Sequence, residues 1–185
     1  MPRLVRLIVL SIFILLALPL QAAPVVIDAR TFEGVSVGRH LLLLEDRDGQ
    51  LQQEDVAKLP DSAFFAVDEE VPNLKFSQSA YWARLTLDNK LPRTVPLIFE
   101  FGYPVVDTID FYSMDDQGQW IRLEAGDRRP ITGRSIAHRL AAFPSDVRTG
   151  SSSVLIRIQT QGSVQFPVKI WTPLAFHNHR VLCIR

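Results

Sequence analysis

The sequence predicts an all-β domain, either a sandwich or a barrel. Short runs of alternating apolar and polar residues recur along the chain, which is the pattern of strands with one buried face. Turn-forming segments such as Asp116–Gly118 and Arg148–Ser151 separate these runs. A composition of 47% hydrophobic and 22% charged residues is typical of a globular chain. No repeat of about 20–50 residues is visible, which argues against propellers and solenoids.

The first 23 residues have the build of a secretory signal peptide. Arg3 and Arg6 precede an apolar run, Leu7–Leu18, which Pro19 interrupts before the small residues of Gln21–Pro24. The apolar run is shorter than the roughly 18 residues expected of a membrane-spanning helix. We therefore expect residues 1–23 to be removed on export. An uncleaved signal anchor is the alternative, and membrane attachment is expected only in that case.

Charge and cysteine content exclude some classes of partner and fold. Twenty basic and twenty acidic residues cancel, so nothing indicates binding to nucleic acid. The single cysteine, Cys183, excludes an internal disulfide framework.

The strands are predicted in chain order. Pro24–Arg30 and His40–Leu44 come first, and Leu51–Lys58 is the one convincing helix, ended by Pro60. The further candidate strands are Ala63–Val67, Ser79–Asn89, Thr94–Phe101, Thr108–Ser113, Gln119–Leu123, Ile136–Phe143, Ser153–Thr160 and Phe166–Thr172.

Ser79–Asn89, with the sequence SAYWARLTLDN, carries the clearest alternation. Its apolar face predicts a place in the core, yet Trp82 falls on the opposite, polar face together with Arg84. Trp82 either lines a ligand site or packs beneath a segment that covers the sheet. The helix Leu51–Lys58 and the N-terminal strands are the candidates for such a cover.

Several phrases of the chain, in order, resemble one known family. They are AYWARLTLDN at 80–89, FEFGYPVVDTIDFYSMDDQGQW at 99–120 and IRIQTQGSVQFPVKIWTPLAF at 156–176. Over Val25–Phe176 the chain resembles the periplasmic sensor domain, second extracellular type, of the 7TMR-DISM receptors (seven-transmembrane receptors with diverse intracellular signalling modules). The resemblance implies a bacterial signal-transduction receptor and a periplasmic location. It also implies a jelly-roll-like β-sandwich similar to carbohydrate-binding modules, here with about eight or nine antiparallel strands and one short helix.

The resemblance divides the chain into a leader, a sandwich at 24–176 and a tail at 177–185. In the family, a membrane domain and an output domain follow the sandwich, whereas here His177–Arg185 follows it. We expect either a stand-alone sensor module or a truncated receptor fragment, and a frayed tail.

No motif for catalysis, a metal or a cofactor stands out, so we predict no catalytic residue, no metal site and no cofactor. Asp46–Asp55 resembles the latter part of an EF-hand loop, but Leu44 would occupy the first ligand position and cannot coordinate Ca²⁺. A turn leading into a helix is the simpler interpretation. His177, His179 and Cys183 offer at most a weak zinc site in the tail.

Aromatic and charged side chains that share strand faces are the better candidates for ligand binding. Trp and Tyr rings stack on sugars, and Arg and Asp bind hydroxyls or carboxylates. His138 is expected to be structural rather than a pH switch. The predicted ligand-binding residues are Trp82, Arg84, Asp110, Tyr112, Trp120, His138 and Arg139, with Arg122 repeating beside Trp120 the spacing of Trp82 and Arg84.

Three functions follow as hypotheses. The first is a non-enzymatic sensor that binds a small molecule, a carbohydrate or a carboxylate. The second is an interaction module that dimerises or contacts another receptor's sensor domain. The third, a glycan-active enzyme, requires two carboxylates facing each other across a groove.

Overall fold

The protein is described by a computed structural model that covers residues 22–29 and 32–182. Its strands form two large sheets and one small ribbon, which confirms the predicted all-β sandwich. Across the described residues the strands are Val25–Ile27 (β1), Glu33–Ser36 (β2), Leu41–Asp46 (β3), Phe65–Ala66 (β4), Asn73–Phe76 (β5), Ala80–Asn89 (β6), Val95–Phe101 (β7), Thr108–Met114 (β8), Trp120–Ala125 (β9), Ala141–Val147 (β10), Gly150–Gln159 (β11), Ser163–Gln165 (β12) and Val168–Trp171 (β13).

The larger sheet has seven strands in the order β4-β3-β6-β11-β8-β9, with β1 added alongside β6. The pairing is antiparallel except for β1, which runs parallel to the end of β6. The smaller sheet has the order β10-β7-β13-β2, and β12 pairs with β5 as a separate ribbon.

The main core lies between the two sheets. Leu85 of β6 pairs with Leu41 and Val154 in the neighbouring strands, and all three are buried. The Phe111 ring stacks on Phe143 of the opposite sheet at 5.0 Å between centroids. Each fully buried side chain of this size contributes roughly 1.5–3 kcal/mol to folding, so this contact between the sheets is a main source of stability.

Two α-helices lie on the outer faces of the sandwich. The first, α1 at Gln53–Lys58, matches the predicted helix. It starts with reciprocal hydrogen bonds between Gln52 and Asp55, and it ends before Pro60, which cannot continue a helix.

The second helix, α2 at Pro173–Leu182, corrects the prediction of a frayed tail from 177 onward. Pro173 stands at its first position, where a missing N–H costs nothing. Short 3₁₀ turns are found at Gly38–His40, Asp61–Ala63 and Ile131–Gly133.

The strand predicted at Ile136–Phe143 is displaced, because β10 begins at Ala141. Arg134 donates hydrogen bonds to the carbonyl oxygens of Gly126 (3.3 Å) and His138 (3.1 Å), which holds 134–138 as a loop. The short strands β2, β5 and β12 were not predicted, since each has only three or four residues.

Most of the predicted signal peptide, residues 1–21, lies outside the described residues, as does Cys183. Within 22–29 and 32–182, no helix is both long and apolar enough to cross a membrane.

Candidate ligand-binding groove

The outer face of the seven-stranded sheet is partly covered by the segment 51–64, which includes α1. Trp82 lies beneath this segment and is only 1% exposed. It packs with Val56 of α1, Phe64 and Leu155, and its indole Nε1 donates to Asp46 at 3.4 Å. Of the two roles predicted for Trp82, the structure therefore supports packing beneath a covering segment and not lining a ligand site.

Arg84 attaches the same cover to the sheet. Its guanidinium donates to the carbonyl oxygens of Val56 (2.6 Å) and Leu59 (3.0 Å) and to the Asp61 carboxylate (2.8 Å). It also lies 4.2 Å above the centre of the Phe64 ring. Because these contacts occupy its donors, Arg84 holds the segment in place and has little left for a ligand.

Asp110 is the centre of an ionic cluster beside Trp82. Its side chain is 3% exposed and accepts hydrogen bonds from Arg122 (2.9 Å) and Arg129 (2.7 Å), with Arg157 at 4.0 Å. Burial disfavours the charge on Arg122, but the hydrogen bond to Asp110 and the attraction of the neighbouring acidic groups together outweigh burial and raise the pKa of Arg122. The negative charge of the Asp110 carboxylate is thus neutralised by arginines of the same domain.

Tyr112 stacks on Trp82, with 5.7 Å between ring centroids. Burial, with the nearby Asp110 carboxylate, raises the pKa of Tyr112, so this phenol stays neutral. Tyr112 joins the covered apolar cluster around Trp82 at its edge.

His138 and Arg139 lie elsewhere, beside the outer face of the four-stranded sheet. The His138 side chain is 9% exposed, and its Nδ1 lies 3.9 Å from the buried Glu100 carboxylate. Leu140 N–H donates to the same Nδ1 at 3.3 Å. Burial lowers the pKa of His138. Arg139 is exposed. The structure therefore does not bring these two residues together with the other five predicted ones.

A groove of about 480 Å³ remains open where the cover ends, between α1 and the β8–β9 hairpin. Trp120 lies half-buried at its edge. The Gln53 amide, oriented with its oxygen toward the indole, accepts a hydrogen bond from Trp120 Nε1 at 2.8 Å. This bond fixes the indole against α1. The remaining lining residues include Glu54, Lys58, Arg84, Met114, Arg148, the serines 151–153 and Leu155.

Arg148 and the three serines were not predicted as site residues, because Arg148–Ser151 was interpreted only as a turn. The alternation of β11 is a sequence signal that could have found two of the serines, because it places Ser151 and Ser153 on the same face of the strand. In the sheet they lie opposite Asp88 and Thr86 on the outward face. Their place in a groove depends on α1, which lies far from them in the sequence.

A second cavity, of about 660 Å³, lies where β8 begins and β11 ends, at the other end of the sheet. Asp107 at its edge is already engaged by Arg128 at 3.3 Å and by the Gln161 N–H at 3.2 Å. Ligand sites usually combine apolar or aromatic surface with a few polar groups, and this cavity offers only polar side chains. The groove beside Trp120 is therefore the better candidate. The cavity is lined by Gln78, Asp107, Thr108, Arg128, Gln159, Thr160 and Gln161.

Comparison with known proteins decides the family. Residues 38–172 match the family described as 7TMR-DISM extracellular 2. The chain belongs to this family. Its members are extracellular sensor domains of receptors, so the groove lies on a domain of that class.

Two carbohydrate-binding modules are among the solved structures that align with this chain. TmCBM61, solved in complex with beta-1,4-galactotriose, aligns over 78% of this chain and 99% of its own, at 12% identity and a TM-score of 0.37. CBM32-3 from a family 31 glycoside hydrolase of Clostridium perfringens aligns over 59% of this chain and 74% of its own, at 10% identity and a TM-score of 0.25. No curated protein sequence matches the chain.

The described part of this 7TMR-DISM extracellular 2 domain contains no cluster of three metal-capable side chains. Asp46, in the EF-hand-like segment, accepts hydrogen bonds from the backbone N–H groups of Gln50 (3.2 Å) and Leu51 (3.1 Å). Gly49 has a φ of +64°, as a tight turn requires. This segment is therefore built as a turn.

Proposed function

We propose that this sensor domain is exported to the periplasm and binds a small molecule, a carbohydrate, in the groove beside Trp120, without catalysing a reaction. One observation carries the proposal. The groove combines an anchored aromatic ring with polar side chains that have no partner among the described residues, on a face where the other arginines are engaged.

The chemistry of the lining suits a sugar. An indole fixed at its N–H can receive the C–H face of a pyranose ring, because its orientation is already set before the ligand arrives. The hydroxyl groups of Ser151 and Ser153 can donate to or accept from sugar hydroxyls. A cavity of about 480 Å³ accommodates one or two sugar rings.

The same lining supports a non-enzymatic function. Glycoside hydrolysis generally uses two carboxylates that flank the scissile bond. Glu54 is the one carboxylate among the described residues that line the groove. Binding without turnover is the activity that this arrangement supports.

The test is a ligand screen on the purified domain. A ligand that binds only the folded state raises its melting temperature, so we expect shifts with one group of monosaccharides or short oligosaccharides and none with amino acids. Trp120→Ala should abolish the shift, whereas Phe76→Ala, which removes an aromatic that is 81% exposed, should leave it unchanged.

A screen without any sugar response would overturn the proposal. Concentration-dependent dimerisation in sedimentation experiments would then favour the interaction module, which contacts a second copy or another receptor's sensor domain. Shifts that persist in Trp120→Ala would place the ligand elsewhere on the domain.

A further inference from the structure

The groove beside Trp120 carries an excess of positive charge. Arg148, Lys58 and Arg84 line it, against Glu54 as the carboxylate among the described lining residues. Arg84 is neutralised by Asp61 at 2.8 Å. Arg148 and Lys58 form no hydrogen bond or ion pair through their side chains with any other part of the described chain. The described residues therefore leave the groove with a net positive charge.

The backbone at Arg148 is held in place by its neighbours, although the guanidinium itself has no partner among the described residues. The carbonyl oxygen of Val147, directly before it, accepts a hydrogen bond from Asn89 Nδ2 at 2.9 Å. The hydroxyl of Thr149, directly after it, donates to the Leu91 carbonyl oxygen at 2.8 Å. The backbone that presents Arg148 is thus fixed on both sides. Arg148 is also half-buried.

Other arginines on this face bind partners within the domain and so stabilise the fold. Arg122 and Arg129 bind Asp110 at 2.9 Å and 2.7 Å. Arg157 donates to the carbonyl oxygen of Gly49 at 3.3 Å. Arg148 differs from them, because it lines a groove and has no partner among the described residues. A guanidinium with free donors on a fixed stretch of backbone matches a carboxylate or another planar anion.

We infer that the ligand of this groove is an acidic sugar of the uronic acid class, whose carboxylate is bound by Arg148 with support from Lys58 while its ring lies against Trp120. This inference rests on the proposed function, since it names the ligand class of the same groove. Ser151 and Ser153 take the ring hydroxyls, and the positive charge of the groove selects the acid over the neutral sugar. The ligand can be a free sugar acid or a uronate unit of a polysaccharide.

The experiment is isothermal titration of the purified domain with matched pairs of ligands. The pairs are D-galacturonate with D-galactose and D-glucuronate with D-glucose, and trigalacturonate and acetate are titrated separately. We expect the uronate of one pair to bind at least about tenfold more tightly than its neutral partner at low salt, because a charge-assisted pair is added. The difference should shrink as salt rises from about 0.02 to 0.5 M.

Two variants test whether Arg148 causes the preference for the uronate. Arg148→Gln should remove the preference for the uronate and leave the weaker affinity for the neutral sugar in place. Arg139→Gln makes the same change of charge near the four-stranded sheet and should alter neither affinity. Circular dichroism and the melting temperature verify that both variants fold.

Each outcome bears on one proposal. Equal affinities for uronate and neutral sugar overturn the acidic-ligand inference and leave the proposed function standing. Binding of acetate as tight as that of the uronates also overturns it, because the sugar then contributes nothing. No binding of any sugar overturns the proposed function itself. Tighter binding of trigalacturonate than of the monosaccharide identifies a polysaccharide source, and equal binding identifies the free acid.

Discussion

On each outer face of the sandwich, a tryptophan donates a hydrogen bond to a buried carboxylate, but the surroundings of the two tryptophans differ. On the seven-stranded sheet, Trp82 donates its indole N–H to the buried Asp46 at 3.4 Å. On the four-stranded sheet, Trp171 donates to the buried Glu100 at 2.9 Å. In both places the N–H of an outward-facing tryptophan donates to a carboxylate far away in the sequence, 36 residues for Trp82 and 71 for Trp171. A helix covers each ring, α1 over Trp82 and α2 over Trp171.

The covers differ in extent. Over Trp82, the segment 51–64 reaches the edge of Trp120 through Gln53 and leaves the groove beside it open. Over Trp171, α2 places Phe176 and His179 directly on the indole, with ring centroids at 6.1 Å and 4.5 Å. An outward tryptophan therefore does not by itself mark a binding site. The edge of an incomplete cover, where polar side chains have no partner among the described residues, is the better indication.

The largest effect is expected from removing the covered tryptophans. Trp82→Ala and Trp171→Ala should each lower the free energy of unfolding by about 3–5 kcal/mol, because each leaves a cavity in a covered cluster. Trp171→Ala also removes the hydrogen bond to the buried Glu100 carboxylate, whereas Asp46 keeps its bonds from the N–H groups of Gln50 and Leu51. Trp120→Ala should cost clearly less, since Trp120 is half-buried. Urea denaturation of the three variants compares them directly. Equal losses in all three would contradict the distinction between covered and groove-lining tryptophans.

A smaller effect is expected from the carboxylates, and it should differ between the faces. Asp110→Asn should lower the free energy of unfolding by about 3 kcal/mol, because Arg129 and Arg157 would keep their charge without its partner. Glu100→Gln should change it by about 1 kcal/mol or less, since the amide oxygen still accepts from Trp171 and Glu100 Oε1 has no hydrogen bond to lose. Denaturation curves at neutral pH measure both, and a larger loss for Glu100→Gln would reverse the comparison.

The smallest effect is a pH dependence confined to the four-stranded sheet. Burial lowers the pKa of His138 below the ordinary 6.5, while Glu100 opposes this shift and the charges of Arg180 and Arg139 add to it. The unfolded chain therefore binds the proton first, and stability falls as the pH drops below about 6.5 toward the folded-state pKa.

The melting temperature at about pH 7.5 and pH 5.5 measures this effect. His138→Gln should show a smaller drop between the two values than the unchanged protein, because that titrating group is gone. A drop of the same size in His138→Gln and in the unchanged protein would mean that other groups set the pH dependence.

Much of the fold could be predicted from the alternation of apolar and polar residues alone. β6 and β11 are ten residues long each, and a long strand with one buried face leaves a clear pattern in the sequence. Strands of three or four residues such as β5 and β12 leave almost none. The loop before β10 was misassigned because Ile136 and Leu140 alternate like strand residues, whereas Arg134 holds this segment as a loop through hydrogen bonds to the carbonyl oxygens of Gly126 and His138.

The candidate site could be predicted only in part. Trp120 and Arg84 do line the groove, but the sequence could not show that α1 closes over Trp82 and engages Arg84. Arg148 was missed for the same reason. Whether a surface arginine is paired depends on which segments fold over its sheet, and such contacts between distant parts of the chain leave no local pattern.

The direct passage from β13 into α2 also has a mechanical consequence. The N–H of Thr172, between the two elements, donates to the Phe32 carbonyl oxygen at 2.7 Å, and His179 rests back on Trp171. The ten residues of α2 make a rod about 15 Å long, and Phe176 and His179 contact the Trp171 indole from its middle and its last turn. The helix is thus clamped to the sheet along its length, so a change in the packing of that ring acts on α2 as a whole rather than on its first turn alone.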